Sequence, residues 1–294
     1  MAIIILGLVV VVAAIVAAAV AALRQGLPRT GDLPARARNA ARTVASWRLA
    51  GVIVGVVAGV LSLLAGSLGR GVMLAAPLFA LCVLAGVVVG ELLVAPPEGP
   101  VREAGLKVRR WRDYLPPRLA SVVAGSAALL GVILVATTLA GSTDDMGRAG
   151  RQLVRRCSAV MTQGHGPWPG SFYSLPLAVV VGGGLLLAGV AVVRIARRPS
   201  QAEDPALEDA LRRRSAAAVT AAAGLLVAVP LFGVSGIAGV GLLGISCRPA
   251  LWTVLGWALV AVLPFALGLA ARCLVVLLVP AVAAQGRNPA SVGR

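Results

Sequence analysis

The chain has 294 residues, of which 59% are hydrophobic and only 13% are charged, and its formal net charge is +16. Soluble globular domains carry about 25% charged residues, so this composition excludes an ordinary soluble domain. The positive charge does not indicate a nucleic-acid partner, because it is mostly arginine beside apolar stretches and no nucleic-acid-binding signature accompanies it.

Seven apolar stretches are each long enough to cross a bilayer as a helix, which takes about 20 residues. Spanning β-strands would alternate apolar and polar residues at short period, and these stretches do not. The sequence therefore predicts an all-α fold, a polytopic transmembrane helical bundle of about seven spans in a single membrane domain over residues 1–294. The predicted spans cover residues 2–23, 49–69, 72–95, 119–141, 175–193, 216–245 and 251–271.

The basic residues lie mostly in alternate connectors, at 24–48, 96–118 and 194–215. Positive charge is retained on the cytoplasmic side of a membrane, so we predict that these connectors are cytoplasmic, with the amino terminus outside and the carboxyl terminus inside. The span at 2–23 is predicted to be an uncleaved anchor, because no positive segment precedes it. This topology suits a multi-pass protein of the bacterial inner (plasma) membrane, with anionic lipid headgroups as partners of the arginine-rich face.

Two segments that precede spans resemble each other. Residues 113–120 and 209–216 share Asp, Leu, Arg and Ala at matching positions. A duplicated two-helix unit, as found in transporters built from repeats, would explain the match. Recurrence by composition alone is the alternative.

Glycines recur four residues apart on two neighbouring spans. They are Gly51, Gly55 and Gly59 in the second span, and Gly86 and Gly90 in the third. Small residues at this spacing let helices approach closely. We expect packing within one chain, with dimerisation through the same faces as the alternative.

The connector before the sixth span has the features of a helix start. Asp204 suits the cap position and Pro205 the first turn, and Glu208 and Arg212 form an acid-first pair four residues apart. We expect this helix to be solvated or to face headgroups, with docking of a cytoplasmic partner as the alternative role. A similar helix is expected over residues 34–47.

The external connector 142–174 is predicted to cover the bundle. Asp144 and Asp145 suit the first turn of a helix, and apolar residues recur at helical spacing as far as Met161. The pattern predicts an amphipathic helix over the mouth of the bundle or on the lipid surface.

The cysteines divide between the external connectors and the spans. Cys157 and Cys247 lie in two different external connectors, and the outer side of a bacterial plasma membrane permits disulfides. We therefore predict a disulfide bond between Cys157 and Cys247. Cys82 and Cys273 lie within or beside the lipid and are expected to be reduced.

Ionisable residues inside spans are candidates for function, because burying them is costly. Glu91 near the end of the third span and Arg272 after the seventh fall at similar depth under the predicted topology. An intramembrane ion pair between them is one interpretation; separate extension of each side chain to the interface is the other.

A candidate external ligand surface joins basic and aromatic side chains of the connector 142–174. It could hold an anionic amphiphile or headgroup, with structural cover for the bundle as the alternative role. Its members are Arg151, Arg155, His165, Trp168 and Tyr173. The spacing of Asp144, Asp145 and His165 matches no zinc or calcium pattern, so we expect no metal, no cofactor and no catalytic residues.

The run 168–174, which reads Trp-Pro-Gly-Ser-Phe-Tyr-Ser before the fifth span, together with the hairpins, resembles multi-span integral membrane proteins of high-GC bacteria. The resemblance carries no established activity and transfers no functional residue.

The sequence favours a non-enzymatic membrane component, permease-like or an accessory or sensing part of a membrane complex with a protein partner. It carries no soluble catalytic signature. An autonomous transporter of a small or amphiphilic solute is the first alternative and would rely on span hydroxyls such as Ser62, Ser126, Thr137, Thr138 and Ser235. A membrane-embedded enzyme acting on lipids is the second, and would need Asp144, Asp145 and His165 to converge.

Overall fold

The computed structural model describes residues 35–93, 110–198 and 205–278. The predicted first span at 2–23 lies outside the described residues, as do Asp204 and most of the connector 96–118. The structure is mostly helical (80%).

Six long helices account for most of the described chain, and each is long and apolar enough to cross a membrane. The last six predicted spans each overlap one of them. The helices are α1 (Ala35–Ala65), α2 (Arg70–Leu92), α3 (Pro117–Ala140), α4 (Ser171–Arg197), α5 (Pro205–Leu243) and α6 (Ala250–Leu278). Two 3-10 turns, Ser67–Gly69 and Trp111–Asp113, and two short strands, β1 (Leu153–Arg156) and β2 (Thr162–His165), complete the description.

Helix α5 is the centre of the bundle and contacts α2, α3, α4 and α6. In its most apolar stretch 61% of the residues are buried, against at most 33% in each of the other five helices. Its buried positions are largely Ala and Val, such as Ala222 and Val227. Small side chains on every face allow neighbours to surround a helix, so this composition explains the central position.

Helices α1 and α2 form a tight hairpin through their glycines. A Cβ built at Gly86 would lie 2.5 Å from the Trp47 carbonyl oxygen and 2.8 Å from the Gly51 Cα. The turn between the helices places Leu68 and Gly69 at φ 58° and 82°. The expected packing within one chain is therefore confirmed.

The prediction of an amphipathic helix at the start of the connector 142–174 is wrong. Strands β1 and β2 pair antiparallel there, with Leu153 opposite His165. Gly147 and Gly150 adopt φ of 77° and 72°, left-handed conformations that end any helix begun at Asp144. Short apolar runs fit both helical and strand periods, and the glycines decide between them.

The two basic connector helices are continuous with the membrane helices that follow them. Helix α1 begins at Ala35 and α5 at Pro205, so neither is a separate surface helix. At the other end of the chain, α6 continues without interruption to Leu278.

Candidate functional site

A buried group of charged and polar side chains lies where α2 and α4 end and α5 begins. It consists of Glu91, Arg198, Glu208, Arg212 and Ser215, and we call it the α5 polar cluster. Burial of charge is costly unless each group is paired and hydrogen-bonded. Its position and cost make it the first candidate for a functional site.

Arg212 is at the centre of the cluster and its side chain is fully buried. Its Nε donates to Glu208 Oε1 at 2.6 Å. Its Nη1 donates to the Ala196 carbonyl at 2.6 Å, and its Nη2 donates to the Arg198 carbonyl at 2.7 Å. Carbonyls at a helix end have no partner within the helix, so Arg212 caps the end of α4.

Glu91 receives hydrogen bonds from two other elements. Arg198 Nη1 donates to Oε2 at 2.7 Å, and Ser215 Oγ donates to Oε1 at 2.8 Å. Arg48 of α1 approaches Oε1 at 3.9 Å. The suggested ion pair of Glu91 with Arg272 is wrong, because Glu91 faces α4 and α5 while Arg272 is exposed on α6.

Tyr114 extends the cluster to the segment before α3. Its ring is buried, its hydroxyl donates to Asp209 Oδ1 at 3.2 Å, and the Arg212 guanidinium lies 5.8 Å from the ring centroid. The two segments that resemble each other in sequence are thus in direct contact. The duplication itself stays a prediction.

The expectation that the helix over 205–214 is solvated is wrong at Glu208 and Arg212. The predicted pair of Glu208 and Arg212 forms, yet the exposed fractions of the two side chains are only 4% and 0%. The end of α4 covers this face of α5. The four-residue spacing of Glu208 and Arg212 predicts their ion pair. The charge pattern of the sequence does not predict that the pair is buried, nor that Arg198, Ser215 and Tyr114 join it. The run of small residues after Ser215 was the available signal that α5 is enclosed.

A groove of about 850 Å³ lies between α2 and α4 beside the cluster. Apolar side chains line most of its length, and Arg194, Arg197, Arg198 and Glu91 line one end. We call it the α2–α4 groove.

At the opposite end of the bundle, the hairpin of β1 and β2 brings Cys157 and Cys247 to disulfide distance. Their Cα atoms are 5.7 Å apart, within the range that a disulfide requires. Arg155 reinforces the connection, because its Nε donates to the Cys247 carbonyl at 3.1 Å and its guanidinium stacks 5.0 Å from the Trp252 ring centroid. The hairpin is therefore attached to the turn between α5 and α6.

Two aromatics of the predicted ligand surface are structural. Trp168 and Tyr173 are each only 2% exposed. The Trp168 indole Nε1 donates to the Thr137 carbonyl at 2.8 Å, and the Tyr173 hydroxyl donates to the Leu68 carbonyl at 2.7 Å. They bind the end of α3 and the turn between α1 and α2 and cannot face a ligand, so the hypothesis of a shared external surface is wrong for them.

Arg151 and His165 also contact the protein itself. Arg151 Nη1 forms an ion pair with Asp144 at 2.6 Å and stacks 5.4 Å from the Phe172 ring centroid. The His165 imidazole packs on Gly244, where a Cβ would lie 2.6 Å from its Cδ2. The predicted ligand surface thus holds the hairpin of β1 and β2 in place.

Asp144 is the electrostatic centre of the hairpin base. Burial alone would raise its pKa, but hydrogen bonds from the Arg148 backbone and side chain, the charge of Arg148 and the Met146 amide together lower it. Asp145 is exposed and lines a small pocket together with Asp144 and Arg151; His165 does not line it. Within the described residues no three His, Cys, Asp or Glu side chains gather as metal ligands.

Three of the five span hydroxyls lie inside the packed bundle, whereas Ser62 and Thr138 are half-buried. Ser126, Thr137 and Ser235 are at most 4% exposed. Thr137 Oγ1 donates to the Ile133 carbonyl of its own helix at 2.9 Å. These hydroxyls are enclosed by side chains rather than presented to a water-filled path.

Comparison with known proteins adds no relative to this description. No family model, no curated protein and no solved structure matches the chain. Its function must be argued from the geometry above.

Proposed function

We propose that this chain is a non-enzymatic, multi-pass component of the bacterial plasma membrane that serves as an accessory or sensing scaffold in a membrane complex. The observation that carries the proposal is the attachment of central helix α5 at both ends. Arg212 binds α5 to the end of α4, and at the other end Cys247 and Gly244 contact the hairpin.

Attachment at both ends favours a fixed scaffold over a carrier. Alternating access requires one half of the bundle to rock against the other around a midplane site. Such movement would separate Arg212 from the Ala196 carbonyl at 2.6 Å, or Trp168 from the Thr137 carbonyl at 2.8 Å. Each separation would leave buried polar groups without partners, at a cost of about 1–3 kcal/mol per group.

The orientation that we propose places the hairpin outside and the α5 polar cluster near the cytoplasm. Arginine retention on the cytoplasmic side supports it. The cysteine pair supports it independently, because disulfides persist on the outer side of the membrane, and Cys157 and Cys247 both lie at the hairpin end.

The two alternative functions have less support. An autonomous transporter would use span hydroxyls, and Ser126 and Ser235 are enclosed. A lipid-acting enzyme would need Asp144 and His165 at one pocket, yet Asp144 binds Arg148 and Arg151 while His165 packs on α5.

Purification of the tagged chain from its own membranes in mild detergent, followed by native electrophoresis and mass spectrometry, tests the proposal. We expect a complex larger than the 29.6 kDa chain, with other membrane proteins at a fixed ratio. A tagged membrane protein of similar size from the same cells is the control. Recovery of the chain alone, together with solute uptake by vesicles containing only this chain, would contradict the proposal.

Spin-label distances give a second test that does not need a partner. Labels at Leu64 and Leu251, exposed by 76% and 64% on α1 and α6, are introduced after Cys82 and Cys273 are replaced by alanine. A scaffold gives one narrow distance distribution in nanodiscs. Two populations that interchange with added solute would support a carrier instead.

A further inference from the structure

The α2–α4 groove has the shape and charge of a binding site for one lipid. It is bounded by Val88 and Leu92 of α2, by residues of α4 between Leu185 and Arg197, and by Arg198 just after α4. Two of its residues, Leu186 and Val190, are 74% and 57% exposed. The groove is therefore open along the side of the bundle, where lipid surrounds a membrane helix.

The length of the groove matches an acyl chain. From Leu185 to Arg197 the helix rises by about 18 Å, at about 1.5 Å per residue. One leaflet of the hydrocarbon core is about 15 Å thick, half of the roughly 30 Å core. Gly189 lines the groove, and a Cβ built there would meet no atom within 4 Å. The missing side chain leaves room beside α4 for a hydrocarbon chain.

The charged end of the groove favours an anionic headgroup. Three arginines and one carboxylate line it, which leaves a net charge of +2 (three minus one). The carboxylate, Glu91, already accepts hydrogen bonds from Arg198 and Ser215. Arg194 and Arg197 are exposed and make no ion pair with another described residue. The partial negative charge at the end of α4 opposes an anion but is weaker than two full positive charges.

We propose that the α2–α4 groove binds one anionic phospholipid, with an acyl chain along α4 past Gly189 and the phosphate at Arg194 and Arg197. The arginines supply charge-assisted hydrogen bonds to the phosphate oxygens. Glu91 and Arg198 form the base of the headgroup site and connect it to the α5 polar cluster. The bound lipid adds a ligand to the proposed scaffold and does not depend on any protein partner.

Native mass spectrometry of the purified full-length chain tests the proposal. The chain is titrated with phosphatidylglycerol and with phosphatidylcholine of the same acyl chains. We expect one phosphatidylglycerol to bind more tightly than phosphatidylcholine. Replacing both arginines (Arg194→Gln with Arg197→Gln) should weaken phosphatidylglycerol binding roughly 30-fold, at about 1 kcal/mol for each arginine near an anionic lipid.

Two matched controls separate the groove from general surface charge. Arg118→Gln with Arg213→Gln removes the same charge from exposed positions at the same end of the bundle and should leave binding unchanged. Gly189→Leu fills the groove without changing charge and should also weaken binding, whereas Gly183→Leu, equally free of neighbours on the same helix, should not. Binding of free phosphate at the arginines, or nonspecific attraction of anionic lipid to surface charge, would not be weakened by Gly189→Leu.

The proposal fails if both arginine pairs weaken binding equally, or if no variant changes the preference for phosphatidylglycerol. It also fails if no lipid binds and a photoreactive label attached to a cysteine at position 189 cross-links to residues 2–23, since the occupant would then be the chain's own first apolar segment. If Gly189→Leu does not fold, the comparison of the two arginine pairs decides.

Discussion

Arg212 and Glu208, one turn apart on α5, form an ion pair at 2.6 Å although their side chains are 0% and 4% exposed. The pair is maintained because Arg212 also satisfies two carbonyls at the end of α4. A guanidinium has a planar fork of donors that an ammonium cannot reproduce. The relationship therefore depends on arginine and not on positive charge alone.

Arg212→Lys should lower the free energy of unfolding even though charge is conserved, since at least one α4 carbonyl loses its donor. Arg212→Leu should cost more, about 3–5 kcal/mol, because it removes one partner of a buried ion pair. Thermal unfolding in detergent measures both. Arg213→Lys, on an exposed neighbour, is the control, and equal effects at positions 212 and 213 would contradict the role assigned to Arg212.

Trp168→Phe should destabilise the end of the bundle that carries the β1–β2 hairpin, while the ring volume is largely kept. The variant leaves the Thr137 carbonyl near the end of α3 without the donor that now lies at 2.8 Å. An unsatisfied buried acceptor costs about 1–3 kcal/mol. Trp257→Phe removes an indole that is 62% exposed and should change thermal stability little. If both variants behave alike, Trp168 acts through packing only.

The disulfide between Cys157 and Cys247 can be tested by counting reactive thiols. Of the four cysteines, Cys82 and Cys273 are free, so a denatured, unreduced sample should accept two maleimide-polyethylene glycol groups. Reduction should raise the number to four. Labelling of all four without reductant, in protein from its native membrane, would show that the disulfide between Cys157 and Cys247 is absent.

Gly86→Ala should destabilise the α1–α2 hairpin, because the new Cβ would meet backbone atoms of Trp47 and Gly51 that no rotamer change can move. Overpacking of this kind costs about 1–3 kcal/mol. Gly125→Ala on α3, where a Cβ meets nothing within 4 Å, should be neutral or slightly stabilising, since alanine favours a helix. Thermal unfolding compares the two, and a stable Gly86→Ala protein would argue against close packing there.

The helices could be predicted from the sequence, but the lateral arrangement of the charges could not. Apolar length alone determines whether a segment can span a bilayer, and this located the last six predicted spans. The predicted topology placed Glu91 and Arg272 at a similar depth in the membrane. It carried no information on which helices are neighbours, and so Arg198 was missed as the partner of Glu91.

The hairpin of β1 and β2 was missed for a different reason. Leu153 and Val154 fit a helix as well as a strand, and only backbone conformation distinguishes the two. Gly147 and Gly150 have positive φ angles, which rule out a continuous helix here. Glycine adopts positive and negative φ about equally readily, so the sequence alone could not predict these angles. The prediction of the Cys157–Cys247 pair was not affected by this error. It rested on the two connectors lying on the same side of the membrane and not on their secondary structure.

Acidification should loosen the segment 142–152 at the start of the β1–β2 hairpin through Asp144. Hydrogen bonds from Arg148 and the Met146 amide lower its pKa below the usual 3.8. A group with a lowered folded pKa stabilises fully above its unfolded pKa, and that stability is lost as the pH falls through the folded value. Amide hydrogen exchange of residues 142–152, corrected for intrinsic rates, should therefore accelerate on going from about pH 6 to about pH 3.

Two variants at neighbouring positions isolate the contribution of Asp144. Asp144→Asn should show fast exchange in residues 142–152 already at neutral pH, with little further change on acidification, because the charge that attracts Arg148 and Arg151 is gone. Asp145→Asn, at the exposed adjacent position, should keep the pH dependence of the unsubstituted chain. The same acid response in both variants would mean that another carboxylate controls the hairpin. The ion pairs of Asp144 would then be a consequence of the hairpin's fold and would not contribute to the hairpin's stability.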